Sequence, residues 1–325
     1  MCDIIPDSHN GKHTPVADTT RSETTPNTTE SLWLWVGASL AAHAAWGAYP
    51  VLARYLQTVS NLPTFSILVL GNAIVLVVTL RYLLANTTLA IFKEPIIWLF
   101  GFIVAVRTTT NIASTRYTLS IYVQLVTQAT PFLVILLSTL LYNEKLPRFT
   151  IPAVSLALIG ALMMIGTDFA GATDDPTRQD WLGVTLTFIS ITALAYYMVL
   201  IRRSQKYAIT GETLLLLQLI VIVVVSGIVS LLLREDWTQY LRIGPLDWTV
   251  FLAFTFIVFL GANFWQISAI QHIGAPFHSS LLAFRLVSAL IFAWLLLGER
   301  LQSPVQIAGA VIVLVTITWY LWQQR

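Results

Sequence analysis

The chain has little of what soluble enzymes are built from. Charged residues make up 10% of its 325 positions, against about 25% in a soluble domain. A lone cysteine, Cys2, excludes an internal disulfide framework and a cysteine-built metal site, and reads as an exposed free thiol. The net charge of +2, with no basic patch interleaved with aromatics, leaves no footprint for nucleic acid. No phosphate-cradling glycine loop, nucleophile elbow or metal-ligand spacing is found, and no carboxylate pair falls inside an apolar run. No cofactor, metal or catalytic residue is therefore expected. An intramembrane enzyme stays as a rival class, to be recognised by a converging acidic or metal-binding cluster.

What is present is apolar surface, 56% of the chain. Residues 1–31, rich in Thr, Pro, Asn and charge, hold no apolar run and are expected to form a disordered cytoplasmic tail. From Leu32 on, stretches of the length needed to cross a bilayer, about 20 residues, recur at 32–54, 62–84, 95–116, 121–142, 149–167, 181–201, 212–233, 247–271, 276–297 and 304–322. The expected fold is an all-α membrane protein of ten transmembrane helices. Its bilayer is expected to be a plasma (cell inner) membrane, since no transit segment is evident. Ten basic residues in the inner segments against six in the outer ones put both termini in the cytoplasm.

The two halves repeat. At an offset of 155, Leu140-Leu141-Tyr142-Asn143-Glu144-Lys145-Leu146 falls on Leu295-Leu296-Leu297-Gly298-Glu299-Arg300-Leu301. Five spans per copy is an odd number, so the second copy enters the membrane inverted, a recurring plan of secondary transporters with the substrate near the midplane. The expected organisation is a first five-helix repeat over 32–167, a connecting loop over 168–180 and a second repeat over 181–325. Glu144 and Glu299 read as helix-end punctuation, and Arg54 and Arg116 as interfacial anchors.

Two charges resist that scheme. Arg107 and Arg285 sit near the middle of spans, where a charge costs on the order of 3 kcal/mol and persists by facing a cavity or a partner. No Asp or Glu appears comparably deep, so the missing partner is expected to be an anionic solute. Helical spacing puts Arg107, Thr110, Asn111 and Ser114 on one face, and Gln124, Thr127, Gln128 and Pro131 on another. His278 and Arg285 share a side of the ninth span, Trp46 lies on the polar face of the first, and the eighth offers Asn263 and Gln266. The candidate substrate-binding residues are thus Arg107, Arg285, Asn111, Gln128, Gln124, Trp46, His278, Asn263 and Gln266. Structural roles compete: amides also join helices, and His43 and His278 also fit as packing histidines. Pro50 and Pro131 are expected to kink their helices. Helices two, five, seven and ten, with far less polarity, read as packing or lipid-facing elements.

The pattern resembles the drug/metabolite transporter superfamily, specifically its EamA type. Carrying the resemblance are the Trp46-Gly47-x-Tyr49-Pro50 stretch, Pro131-Phe132 before Leu137-Ser138, and Leu141-Tyr142-Asn143-Glu144-Lys145-Leu146. Gly298-Glu299-Arg300-Leu301 followed by Gln306-Ile307-Ala308-Gly309 adds to them. The resemblance covers about residues 32 to 322 and implies a carrier working by alternating access, as a monomer or homodimer, on a small-molecule metabolite. The central arginines match no general motif of that family. From them the substrate is expected to be anionic or zwitterionic, with export of neutral or cationic drugs as the alternative. Proton coupling through an Asp/Glu relay is not available, which leaves facilitated movement, exchange or coupling to the membrane potential, with His43 or His278 as the titrating substitutes.

Overall fold

The computed structural model describes residues 28–87, 93–142, 149–165, 178–204, 209–266, 269, 281, 283–301 and 303–323, and within these it is all-helical. Helix α1 (Thr28–Thr58) is followed by α2 (Thr64–Ala85), α3 (Pro95–Tyr117), α4 (Ser120–Thr127), α5 (Thr130–Tyr142) and α6 (Thr150–Ile165). The second half contains α7 (Asp180–Ser204), α8 (Gly211–Leu232), α9 (Pro245–Ala253), α10 (Ala283–Leu297) and α11 (Pro304–Gln323). Helix α1 begins at Thr28, four residues inside the segment expected to be a disordered tail. Residues 1–27 lie outside the described residues.

Local chemistry sets the boundaries. Pro95, Pro245 and Pro304 each open a helix at the position where a missing N–H costs nothing. Pro131 lies in the first turn of α5, directly after the Gln128–Ala129 break that divides the fourth span into α4 and α5. Pro50, by contrast, is accommodated within a continuous α1. Beyond α9 the helix widens into a π-helix over Phe254–Ala262, which the apolar periodicity did not foretell. A 3₁₀ turn, Trp237–Leu241, precedes α9.

Among the described residues, six helical stretches are long and apolar enough to cross a membrane: Thr64–Ala85, Pro95–Tyr117, Ser120–Leu141, Asp180–Ile201, Gly211–Leu232 and Pro245–Gln266. Shorter apolar helices cover Thr150–Gly160, Phe284–Leu297 and Pro304–Tyr320. Their outer faces carry large apolar side chains that packing leaves bare, among them Val77, Phe102, Leu231 and Trp294. A bilayer covers such a surface; water does not.

Four pairs make the most extensive contacts: α3 with α7, α6 with α11, α1 with α10 and α2 with α8. Connections then gather at two ends. At one, the Phe65 and Ser66 N–H groups both donate to the Glu235 carboxylate at 2.9 Å, which caps α2. Ser60 Oγ donates to Asp247 at 2.7 Å, and Gln179 N–H to the Tyr117 carbonyl at 2.7 Å. At the other, Thr210 Oγ donates to the Asn86 carbonyl at 3.4 Å, and the Thr150 and Tyr320 hydroxyls meet at 2.7 Å. Every one of these contacts joins segments that an alternating path through a bilayer leaves on the same side.

Arg54 and Glu299 depart from the sequence reading. Neither is at the surface: their residues are 4% and 1% exposed. Gly298 takes a left-handed φ of 68°, and the Glu299 N–H turns back to the Ala293 carbonyl at 3.1 Å, carrying the carboxylate inward. There Oε2 accepts from Ser120 Oγ at 2.7 Å, while Oε1 lies 3.4 Å from Arg54 Nε. Arg54 also donates to the Thr115 and Thr118 carbonyls at 3.3 and 2.7 Å. This buried pair joins α1, the α3–α4 turn and the α10–α11 turn, so Arg54 is a cross-brace rather than a snorkelling anchor. Burial pushes the Glu299 carboxyl above the usual range, against the opposing pull of Arg54 and Ser120. Glu144 lies outside the described residues.

Candidate functional site

A polar cavity of about 60 Å³ lies among α1, α3, α4, α7, the end of the π-helix segment and α10. That is room for a few water molecules or a small polar head group. Trp46, Arg107, Asn111, Gln124, Asn263, Gln266 and Arg285 all line it. Seven of the nine sequence candidates are thereby brought to one place. Gln128 does not line the cavity; it is buried nearby in sequence, 2% exposed, with neither amide atom partnered. His278 lies outside the described residues.

Trp46 is the centre of the arrangement. The Arg107 guanidinium carbon stands 6.0 Å from its ring centroid, and that of Arg285 stands 5.8 Å from it. Arg107 also lies 4.6 Å over the Tyr197 ring. Cation–π attraction of this kind contributes about 0.5–2 kcal/mol, so the aromatic groups explain how the arginines are positioned. They do not neutralise them. Both guanidiniums being within 6.0 Å of one centroid, they lie at most about 12 Å apart, and at an effective dielectric constant near 20 their repulsion is then at least about 1.4 kcal/mol. Among the described residues neither is paired with a carboxylate, and no Asp, Glu, His or Cys lines the cavity.

The orientation of Arg285 follows from how closely α10 approaches α1. Gly47 lies directly against the Arg285 carbonyl, and Ser288 Oγ donates to the Ala44 carbonyl at 2.9 Å. The absence of a side chain at position 47 lets the backbones meet, which swings Arg285, 7% exposed, into the cavity. On the α3 side, Ser190 Oγ of α7 donates to the Arg107 carbonyl at 2.9 Å and fixes that helix pair.

A count of hydrogen-bonding capacity shows what the site wants. Trp46 Nε1, Arg285 Nε, Gln124 Nε2, Gln128 Nε2 and Oε1, and Thr108 Oγ1 are buried without a partner. Unsatisfied buried polar groups each cost about 1–3 kcal/mol; Gln128 aside, which lies off the cavity, those here are three N–H donors and one hydroxyl. Such a surplus is complementary to a ligand rich in acceptor oxygens.

A second lobe opens beside the first. Trp46, Tyr49, Arg107, Asn111 and Asn263 belong to both, and Asn72, Gln218 and Thr108 complete the second with Ile222 and Phe259. Asn72 and Gln218 come from α2 and α8, two of the four spans read from sequence as packing or lipid-facing elements. A single amide in a 22-residue apolar helix leaves no periodic signal. Tyr197 donates to Gln218 Oε1 at 2.8 Å, tying the second lobe to the ring beneath Arg107. Of the aromatic residues, Tyr49 and Tyr197 line the cavity with Trp46. Tyr196 packs instead against the cluster of Leu137, Ala195 and Val199, and Trp265 stacks against Gly261.

Comparison with known proteins fits this picture. Residues 181–322 match the model of the EamA-like transporter family, over the second of the two halves. No curated protein matches the chain in sequence. A crystal structure named only as that of a protein shares the fold with a TM-score of 0.62, at 16% identity, over 90% of this chain and 98% of that one.

Proposed function

Taking a multi-pass membrane protein with an EamA-like second half as the premise, we propose that it is a secondary transporter. It moves a small anionic or zwitterionic organic metabolite by alternating access. The observation that carries the reading is the cavity itself: two arginines about one indole, beside unspent donors, with no acidic group lining it or paired with them among the described residues. Guanidinium grips carboxylate or phosphate in bidentate fashion and stays charged throughout. A neutral or cationic drug would meet repulsion there.

The scaffold supports the carrier reading. We infer ten spans in two inverted halves, 32–167 and 181–322, with α4 and α5 forming one broken span and α9 running through the π-helix as another. Exchanging the halves span for span turns α2–α8 and α6–α11 into themselves. It turns α3–α7 into α1 with the π-helix segment, and α1–α10 into α7 with α4 and α5. All of these contacts are present. The inferred membrane is the plasma membrane, with both termini cytoplasmic, which puts the Arg54–Glu299 brace at the outer end.

Purified Arg107→Gln and Arg285→Gln variants, reconstituted in proteoliposomes, test the function. Each is expected to lower anion uptake roughly tenfold or more, the loss of a charge-assisted hydrogen bond. If both variants fold and move every candidate anion at the wild-type rate, the arginines are structural and the reading fails.

A further inference from the structure

Two cations share one aromatic group, and no anionic side chain among the described residues of the first lobe offsets either. A monoanion satisfies one guanidinium and leaves the other without an anionic partner in the cavity. The second lobe shares Trp46, Tyr49 and Arg107 with the first but lacks Arg285; it adds Asn72 and Gln218 to the amides of Asn111 and Asn263, beside Ile222 and Phe259, and Arg107 is its one charge among the described residues. We infer that the ligand is a compact organic dianion whose two negative charges lie in the lobe shared by Arg107 and Arg285, and whose uncharged polar remainder extends toward Asn72 and Gln218. This rests on the carrier reading above and narrows its substrate class.

The orphaned donors support the assignment independently of charge. Arg285 Nε, Gln124 Nε2 and Trp46 Nε1 have no hydrogen-bond partner within the protein, and a dicarboxylate or phosphate ester brings enough acceptor oxygens to engage all three. Among the described residues, the titratable groups around the arginines are Tyr49 and Tyr197, which line the cavity, and His43, one turn from Trp46 on α1. Tyrosines are neutral at neutral pH, so neither stands in for the missing anions.

The test uses matched probes that differ by one charge at similar size: succinate against its monoamide, and sulfate against methanesulfonate. Thermal stabilisation of the purified full chain in phospholipid-free detergent reads binding, and proteoliposome uptake reads transport. The dianion of each pair is expected to bind roughly tenfold more tightly than its monoanion. Arg285→Gln is expected to collapse that preference toward unity while still binding the monoanions. Equal binding of dianion and monoanion by the wild-type protein overturns the proposal and leaves the carrier reading standing. Stabilisation by none of the four anions overturns both. If phosphatidic acid in the micelles displaces succinate at equal concentration, the dianionic group belongs to a lipid head group and the assignment to a soluble acid is wrong.

Discussion

Single residues decide the electrostatics of this molecule, and Glu299 shows how. Its carboxylate is buried against Arg54 with its pKa raised, so desolvation outweighs the attraction of the pair. Breaking such a pair from one side costs about 3–5 kcal/mol, whereas replacing both partners by apolar groups is often neutral. Glu299→Ala is therefore expected to lower thermal stability in detergent markedly, and Arg54→Met with Glu299→Leu to recover most of it. A double variant no more stable than the single one would show that hydrogen bonding to Thr118 and Ser120, not charge balance, sets the cost. The pH dependence has a definite sign. A carboxyl raised on folding contributes stability below its unfolded value, and that contribution is lost as pH rises through the folded one. The apolar double variant should lack this component. Depth along the helix exposed Arg107 and Arg285 in the sequence, because a charge in mid-span stands out against apolar neighbours. Glu299 was not legible in the same way. Glycine at position 298 permits the left-handed turn, but the partners that receive the carboxylate, Arg54 and Ser120, are distant in sequence and leave no local signal.

Helices α1 and α10 are the elements that bring the two arginines together, and their crossing depends on Gly47. A Cβ there would meet the Arg285 carbonyl and stand 3.0 Å from Ser288 Cβ. Gly47→Ala is expected to destabilise by about 1–3 kcal/mol through overpacking, and to lower anion uptake because α10 carries Arg285. Gly37→Ala on the same helix is the control. Nothing lies within 4 Å of its Cβ, so the better helix propensity of alanine should leave stability unchanged or slightly higher. Equal loss from both would mean that helix propensity, not the crossing, governs position 47. Most helices were readable as elements, since runs of about 20 apolar residues bounded by proline and polar breaks state their own limits. The π-helix at Phe254–Ala262 was not. It depends on how the backbone settles against α1 and α2 rather than on any pattern within the segment, and it feeds directly into Asn263 at the cavity wall.

At the scale of the whole molecule, symmetry separates the interfaces that must change from those that can stay fixed. If the two transport states are related by exchange of the proposed halves, α2–α8 and α6–α11 map onto themselves and can remain rigid. The α1–α10 contact instead exchanges roles with that of α7 against α4 and α5, so one tightens as the other loosens. Cysteine pairs test this in a chain whose native cysteine, Cys2, is first changed to Ser. Phe149→Cys with Trp319→Cys lies across α6–α11, where the two rings are 5.6 Å apart at the exposed edge. Ala44→Cys with Ser288→Cys lies across α1–α10, where Ser288 Oγ donates to the Ala44 carbonyl. Joined by a short bifunctional reagent, the α6–α11 pair is expected to retain near wild-type uptake in proteoliposomes, and the α1–α10 pair to lose it until the link is cleaved. Substrate should also protect or expose the two positions of the α1–α10 pair to reaction while leaving the α6–α11 pair indifferent. Unimpaired uptake with α1 and α10 covalently held would mean that alternation does not run through this interface, and that the inward-pointing Arg285 keeps one position throughout the cycle.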